Sequence, residues 1–416
     1  MLDLLRRPEV KPKYPPYPGE TLDVCVVTET FQPEINGVTL TLGHLLSGLR
    51  ARGHRVSLVR PRQPGVDPPG DSGDPSTHPD VTLVPGLALP GYAAVRLGLP
   101  AGAVLRRRWL RRPPDAVYVA TEGPLGWSAV RAARGLRLPV LAGFHTNFHR
   151  YARHYHIGWA EAFVARYLRH FHNRATGTVV ATRDLRDQLR GRGFRNVSVL
   201  GRGVDGTLFR PARRSASLRR SWGVAEHEIV ALCVGRVAAE KNIRLAIEAY
   251  RAMQRHHPPC RLVVVGDGPL RRGLERAHPD LFFTGMLSGE PLAGHFASAD
   301  VFLFPSETET FGNVTLEALA SGLVVVAFDY AAAREHVRSG RTGVLVPLGD
   351  AGAFVGAAAT LAQFPESLRR MQESVSESVT HLGWDRVVDR FEKMLFDIGR
   401  ASRSAGPART GEGSYR

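Results

Sequence analysis

Residues 301–322, VFLFPSETETFGNVTLEALASG, decide the reading of this chain. Val301 to Phe304 is an apolar run of strand length, a polar loop follows, and a helix is expected to open near Gly312 or Asn313. Phe311, Gly312, Asn313 and Val314 then cover a helix start. Its unpaired N–H groups and partial positive charge suit a phosphate. Glu309 stands in the loop and Glu317 eight residues later, inside the helix. Carboxylates repel phosphate but bind hydroxyls, so the expected ligand is a phosphate flanked by two polyols. A sugar nucleotide has that layout of hexose, diphosphate and ribose.

Glu309–x7–Glu317 with its embedded FGNVTLEALASG resembles the donor signature of the retaining GT-B glycosyltransferases of family 4. Further strings extend the resemblance over roughly residues 22–398. GRVAAEKN, residues 235–242, follows an expected strand at 229–234 and sets Arg236 and Lys241 on either side of a helix start. FHTNFHRYARHY (144–155) and GRGVDGTLFRP (201–211) are similar to the GDP-mannose-dependent, glycolipid-synthesising alpha-mannosyltransferase subgroup. Ala331-Ala332-Ala333 departs from the glycine-rich turn of most of the family, which shifts the sugars expected.

The resemblance implies an α/β protein of GT-B fold, two Rossmann-like domains facing each other across a cleft. The expected parts are a flexible arm (1–20), an acceptor domain (21–203), a nucleotide-sugar donor domain (204–383), a crossover helix packing back on the first domain (384–399) and a disordered tail (400–416). It implies retaining transfer of mannose from GDP-mannose to a membrane glycolipid. A UDP-sugar-dependent glucosyl, glucuronosyl or sulfoquinovosyl transferase is the alternative. Arg236 and Lys241 would hold the diphosphate, the Gly312–Val314 amides would contact phosphate, Glu317 would bind ribose and Glu309 the hexose. Gly266 and Gly268 would line the base pocket. Gly37 would bear on the donor phosphates and His145 on the donor sugar or acceptor, so that domain closure completes the site. The chain has no Asp-x-Asp, so no divalent metal and no cofactor beyond the sugar nucleotide is expected.

The residues support this independently. LDVCVVT (22–28), a helix from about Val38 to Arg52 ended by Gly53, and Val56–Val59 open a doubly wound parallel sheet. No G-x-G-x-x-G follows the first strand, which counts against a dehydrogenase. His145 follows a strand at 139–144, where α/β enzymes place their sites. It is one of six histidines between 140 and 174 that lack a zinc pattern. Residues 81–114 interleave apolar residues with Arg96, Arg106, Arg107, Arg108, Arg111 and Arg112, without an acid. Two readings stand: a solvated helix face, or a patch lying on an anionic bilayer with Trp109 or Leu110 in the interface.

The net charge of +16 favours anionic partners, yet no nucleic-acid motif accompanies it. A non-catalytic nucleotide- or nucleic-acid-binding protein is the alternative of a different class. Cys25, Cys233 and Cys260 read as small buried hydrophobes in a reducing compartment. The first twenty residues carry no apolar core or cleavage pattern. The expected place is therefore the cytoplasm, peripheral to the inner face of its membrane.

Overall fold

The computed structural model describes residues 20–404 apart from 32–33, 35, 64–66, 68–79, 90–91, 146–157 and 258. The N-terminal arm, most of the polar loop at 61–80, His149, His154, His156 and the tail past Ser404 lie outside the described residues. The rest divides into two compact units: residues up to 201 with those from 387 onward, and residues 202–386.

The first unit begins with β1 (Asp23–Val27), β2 (Arg55–Pro61), β3 (Val81–Val84), β4 (Gly86–Leu89) and β5 (Tyr92–Gly98). It continues with β6 (Ala116–Val119), β7 (Val140–Gly143), β8 (Gly177–Val180) and β9 (Val197–Val199). Seven of these form one parallel sheet in the order β3-β2-β1-β6-β7-β8-β9. Strands such as AVYV and VLAG are buried throughout, as parallel strands covered on both faces must be. The order reverses between β1 and β6, the position where open α/β sheets gather ligands at the carboxyl ends of their strands.

Over residues 81–114 the structure removes one of the two interface candidates of the bilayer reading, Trp109, and leaves the other, Leu110, exposed. The chain forms β3, an antiparallel β4–β5 hairpin and a helix, Gly102–Arg111. Trp109 is only 2% exposed and packs in the core with Cys25, Val117 and Ala129, so it belongs to no interface. Arg96 donates to the Gly86 carbonyl, Arg108 to Thr82 and Arg112 to Asp23. Arg106, Arg107 and Arg111 remain exposed beside Val104 and Leu110, at 50% and 63%. The helix is amphipathic in the ordinary way: Leu105 and Trp109, four apart, face inward.

The second unit holds β10 (Ile229–Val234), β11 (Cys260–Val265), β12 (Phe282–Gly285), β13 (Val301–Phe304), β14 (Val324–Phe328) and β15 (Gly343–Val346). They form a second parallel sheet, β12-β11-β10-β13-β14-β15. All three cysteines are buried free thiols, and burial pushes each thiol up, Cys233 and Cys260 to about 12.

The last helix, Trp384–Ser404, packs on the first unit. Its Val387, Val388, Phe391, Leu395 and Phe396 repeat at helical spacing and are buried. Gly48 on the helix Gly37–Ala51 makes room for it, since a Cβ there would stand 2.5 Å from Val388. Burial of its apolar face contributes about 2 kcal/mol for each large side chain. A polar contact fixes the register. The Leu22 amide donates to His54 Nδ1 at 3.1 Å, so the ring's proton sits on Nε2, which donates to Glu392 at 2.6 Å.

Candidate functional site

In the second unit the sheet order reverses between β10 and β13, and the residues after those strands carry the candidate donor chemistry. Gly235 follows β10, and its amide bonds the Val265 carbonyl at 3.0 Å. Val237 N bonds the Asp267 carbonyl at 2.9 Å. The loops after β10 and β11 therefore lie against each other. Gly266 and Gly268 are required there, since a Cβ would meet the Gly235 carbonyl at 1.9 Å and the Val237 carbonyl at 2.4 Å. Their first task is to bring the Arg236 loop beside the Asp267 turn.

Lys241 ends a short 3-10 turn, Ala239–Lys241, and Asn242 in the left-handed region leads into the helix Ile243–His256. The Lys241 ammonium forms an ion pair with Glu309 Oε1, and the Ser306 hydroxyl donates to the same oxygen at 2.6 Å. Tyr330 donates to the Glu309 carbonyl at 2.6 Å. Lys241 also stands 5.9 Å from the centre of the Phe304 ring. The structure thus joins two residues expected to serve different parts of a donor, one the diphosphate and the other the hexose. Arg236 faces solvent more freely, with Glu240 at 3.5 Å.

Gly312 caps the helix Asn313–Ala320 with a φ of 93°, a conformation that suits glycine and turns the chain sharply behind Phe311. Phe311 is buried, while Asn313 and Val314 keep partial exposure at the helix start. Glu317 lies one turn in, partly enclosed, and burial pushes its carboxyl up to about 7. Ala331 has a φ of 50° and its neighbour Ala332 bonds the Phe311 carbonyl at 2.9 Å. An alanine here holds the left-handed turn where glycine would relax, at a cost of about 1–2 kcal/mol.

In the first unit, His145 follows β7 and its Nε2 lies 3.3 Å from the Tyr118 hydroxyl on β6. Tyr118 in turn packs edge-on against Phe391 of the last helix, ring centres 4.9 Å apart. Gly37 is the first residue of a helix, Gly37–Ala51, one residue ahead of the start expected at about Val38. Asn36 caps that helix by accepting from Val38 and Thr39 at 3.0 and 2.9 Å, so those two amides are already used.

Sequence reasoning missed several polar groups around these residues. Glu29, directly after β1, is buried and accepts from Leu125 N at 2.8 Å, at the start of the helix Pro124–Gly135; burial pushes its carboxyl up to about 7. Tyr167 donates to the Glu122 carbonyl, and His172 lies 3.4 Å from the Glu122 carboxyl. An acid at the carboxyl end of β1, where the sheet reverses, was the available signal. Tyr118, a lone hydroxyl inside a buried strand, was a second, because a buried hydroxyl requires a partner.

Among the described residues no cluster of three or more histidine, cysteine or acidic side chains could hold a metal ion. Among them, no helix is long and apolar enough to cross a membrane.

The sequence matches the family described as Glycosyltransferase Family 4 over residues 35–207 and that described as Glycosyl transferases group 1 over residues 228–363. A GDP-mannose-dependent alpha-mannosyltransferase of Mycolicibacterium smegmatis is 35% identical over 392 residues, covering 92% of this chain and 99% of that one. An alpha-monoglucosyldiacylglycerol synthase of Streptococcus pneumoniae is 26% identical, covering 73% and 70%. Among solved structures, sucrose-phosphate synthase from Thermosynechococcus elongatus superposes with a TM-score of 0.70 at 19% identity, covering 91% of this chain and all of that one, a likeness of fold. Two Rossmann-like parallel-sheet units, a donor signature spanning β13 and its helix, and these matches over most of the length agree: the chain is a GT-B glycosyltransferase and belongs to family 4.

Proposed function

We propose that this glycosyltransferase moves mannose from GDP-mannose to a glycolipid acceptor with retention at the anomeric carbon, working at the surface of an anionic membrane. The Lys241–Glu309 pair beside the start of the helix Asn313–Ala320 carries the reading. It sets a cation, a carboxylate and helix amides within one loop system, matching diphosphate, hexose and phosphate. Arg236 and Lys241 neutralise the diphosphate, most strongly as charge develops on the leaving group. Glu309 binds hexose hydroxyls and Glu317 the ribose, while His145, oriented by Tyr118, meets the sugar or the acceptor. No divalent metal is needed in this scheme, because the two cations supply the charge.

The name of the M. smegmatis relative supports this donor, and that of the S. pneumoniae relative supports a lipid acceptor. The exposed Arg106, Arg107 and Arg111 beside Leu110 fit an anionic surface.

A thermal-shift panel tests the donor. GDP and GDP-mannose are expected to raise the melting temperature; at ~100 times the dissociation constant a ligand adds about 2.7 kcal/mol. A shift with UDP or UDP-glucose alone would overturn the choice of mannose.

Glu317 gives a pH signature. Binding favours its ionised form, and with its carboxyl raised to about 7 that form is depleted below neutrality. GDP affinity is expected to fall by up to about tenfold per unit below pH 7. Calorimetric titrations at pH 6 and 8 should show the fall in the native protein and not in Glu317→Gln; equal slopes in both would take Glu317 out of the ribose site.

A further inference from the structure

At the amino-terminal edge of the first sheet, opposite the strand ends that carry His145, lies a small open cavity of about 30 Å³. Its walls include Arg55 from the start of β2, Asp23 from β1, and Arg108, Trp109 and Arg112 from the helix Gly102–Arg111 and its end. Asp80 also reaches it.

The polar groups here are arranged around an unfilled demand. Arg55 and Arg112 each give only Nε to the Asp23 carboxylate, at 3.0 and 3.1 Å. Their terminal N–H groups are not used by Asp23, and both side chains line the cavity while staying more than half exposed. Arg108 spends one N–H on Thr82. Trp109 is almost fully buried, yet its indole N–H has no hydrogen-bond partner. Its polar neighbour across the cavity wall is the Cys25 thiol, a poor acceptor. A buried donor without an acceptor costs about 1–3 kcal/mol. Three guanidiniums outweigh two carboxylates, so the excess charge is positive.

We propose that this cavity is a binding site for a phosphate group, separate from the donor site. Guanidinium forks match phosphate oxygens in pairs. A single water needs about 10–15 Å³, so the cavity takes about two or three oxygens, one face of a phosphate. A free phosphate ester and the headgroup of an anionic lipid share this chemistry.

The test uses the full chain. Inorganic phosphate, titrated at constant ionic strength, is expected to raise the unfolding midpoint saturably. Arg55→Ala combined with Arg112→Ala is expected to remove at least half of that rise. Phosphate taken up at the diphosphate site contributes equally to native protein and variant, so the comparison isolates the cavity. Arg131→Ala, an exposed arginine on the helix Pro124–Gly135 and outside the cavity, should leave the rise intact; an equal loss there would reduce the effect to general charge and overturn the proposal. A second arm measures capture by vesicles of phosphatidylcholine and phosphatidic acid in equal parts. Capture lost in the double variant, with no effect of free phosphate, assigns the site to a headgroup; a phosphate effect without it assigns a soluble ester. If the double variant matches the native protein in both arms, the cavity binds no phosphate.

Discussion

Lys241→Ala is expected to lower kcat for sugar transfer by about a hundred- to a thousandfold, the usual cost of losing one preorganised charge that meets the developing negative charge. Its pairing with Glu309 adds a second expectation. Removing Lys241 leaves Glu309 with only the Ser306 hydroxyl and no cation, so the carboxylate also loses its orientation. The effects of Lys241→Ala and Glu309→Gln should therefore overlap, the double variant losing much less than the product of the two single losses. Steady-state kinetics on the three variants measures this. Losses that multiply cleanly would mean that the two side chains act independently, and native turnover in Lys241→Ala would remove it from the site.

Phe391→Ala is expected to destabilise the first unit strongly. Phe391 is fully buried, and emptying such a position typically costs about 3–5 kcal/mol. The loss belongs to the first unit, so urea unfolding is expected to show an earlier transition there while the second unit keeps its midpoint. Activity should fall further than stability alone predicts at temperatures where the variant is folded. Phe391 supports Tyr118, whose hydroxyl stands at His145. Unchanged unfolding of the first unit would contradict the packing described; unchanged kcat in the folded variant would show that His145 needs no such support.

Much of the donor region was legible because it is contiguous. A strand, a polar loop and a helix start lie within 22 residues, and their chemistry can be read without knowing the rest of the fold. Lys241 and Glu309 are each singled out by their local strings, but their union is not, because nothing local records which loops a sheet brings together. The same limit hid the partner of Tyr118: its hydroxyl within AVYV calls for one, but only the fold brings His145, after the next strand, beside it. Trp109 was misjudged because arginines on both sides suggested a surface, whereas helical spacing with Leu105 turns it inward. The β4–β5 hairpin did have a local signal, Pro90-Gly91 between two strand-like runs, and the arginine pattern drew the reading away from it. Gly37 reads as a turn in sequence, but Asn36 at a helix cap gives the same dipeptide a different role.

The docking of residues 387–404 onto the first sheet has a consequence for biosynthesis. Among the described residues the second unit is one stretch, 202–386, and can close as soon as it leaves the ribosome. The first unit starts earlier but lacks Phe391, Leu395 and Glu392 until the whole of the second has been made. At ~5–20 residues per second, translation of the intervening stretch takes on the order of ten to forty seconds. Throughout that interval the surface that will receive Phe391 is open to water and to chaperones. In this protein the half that is made first is the half that matures last.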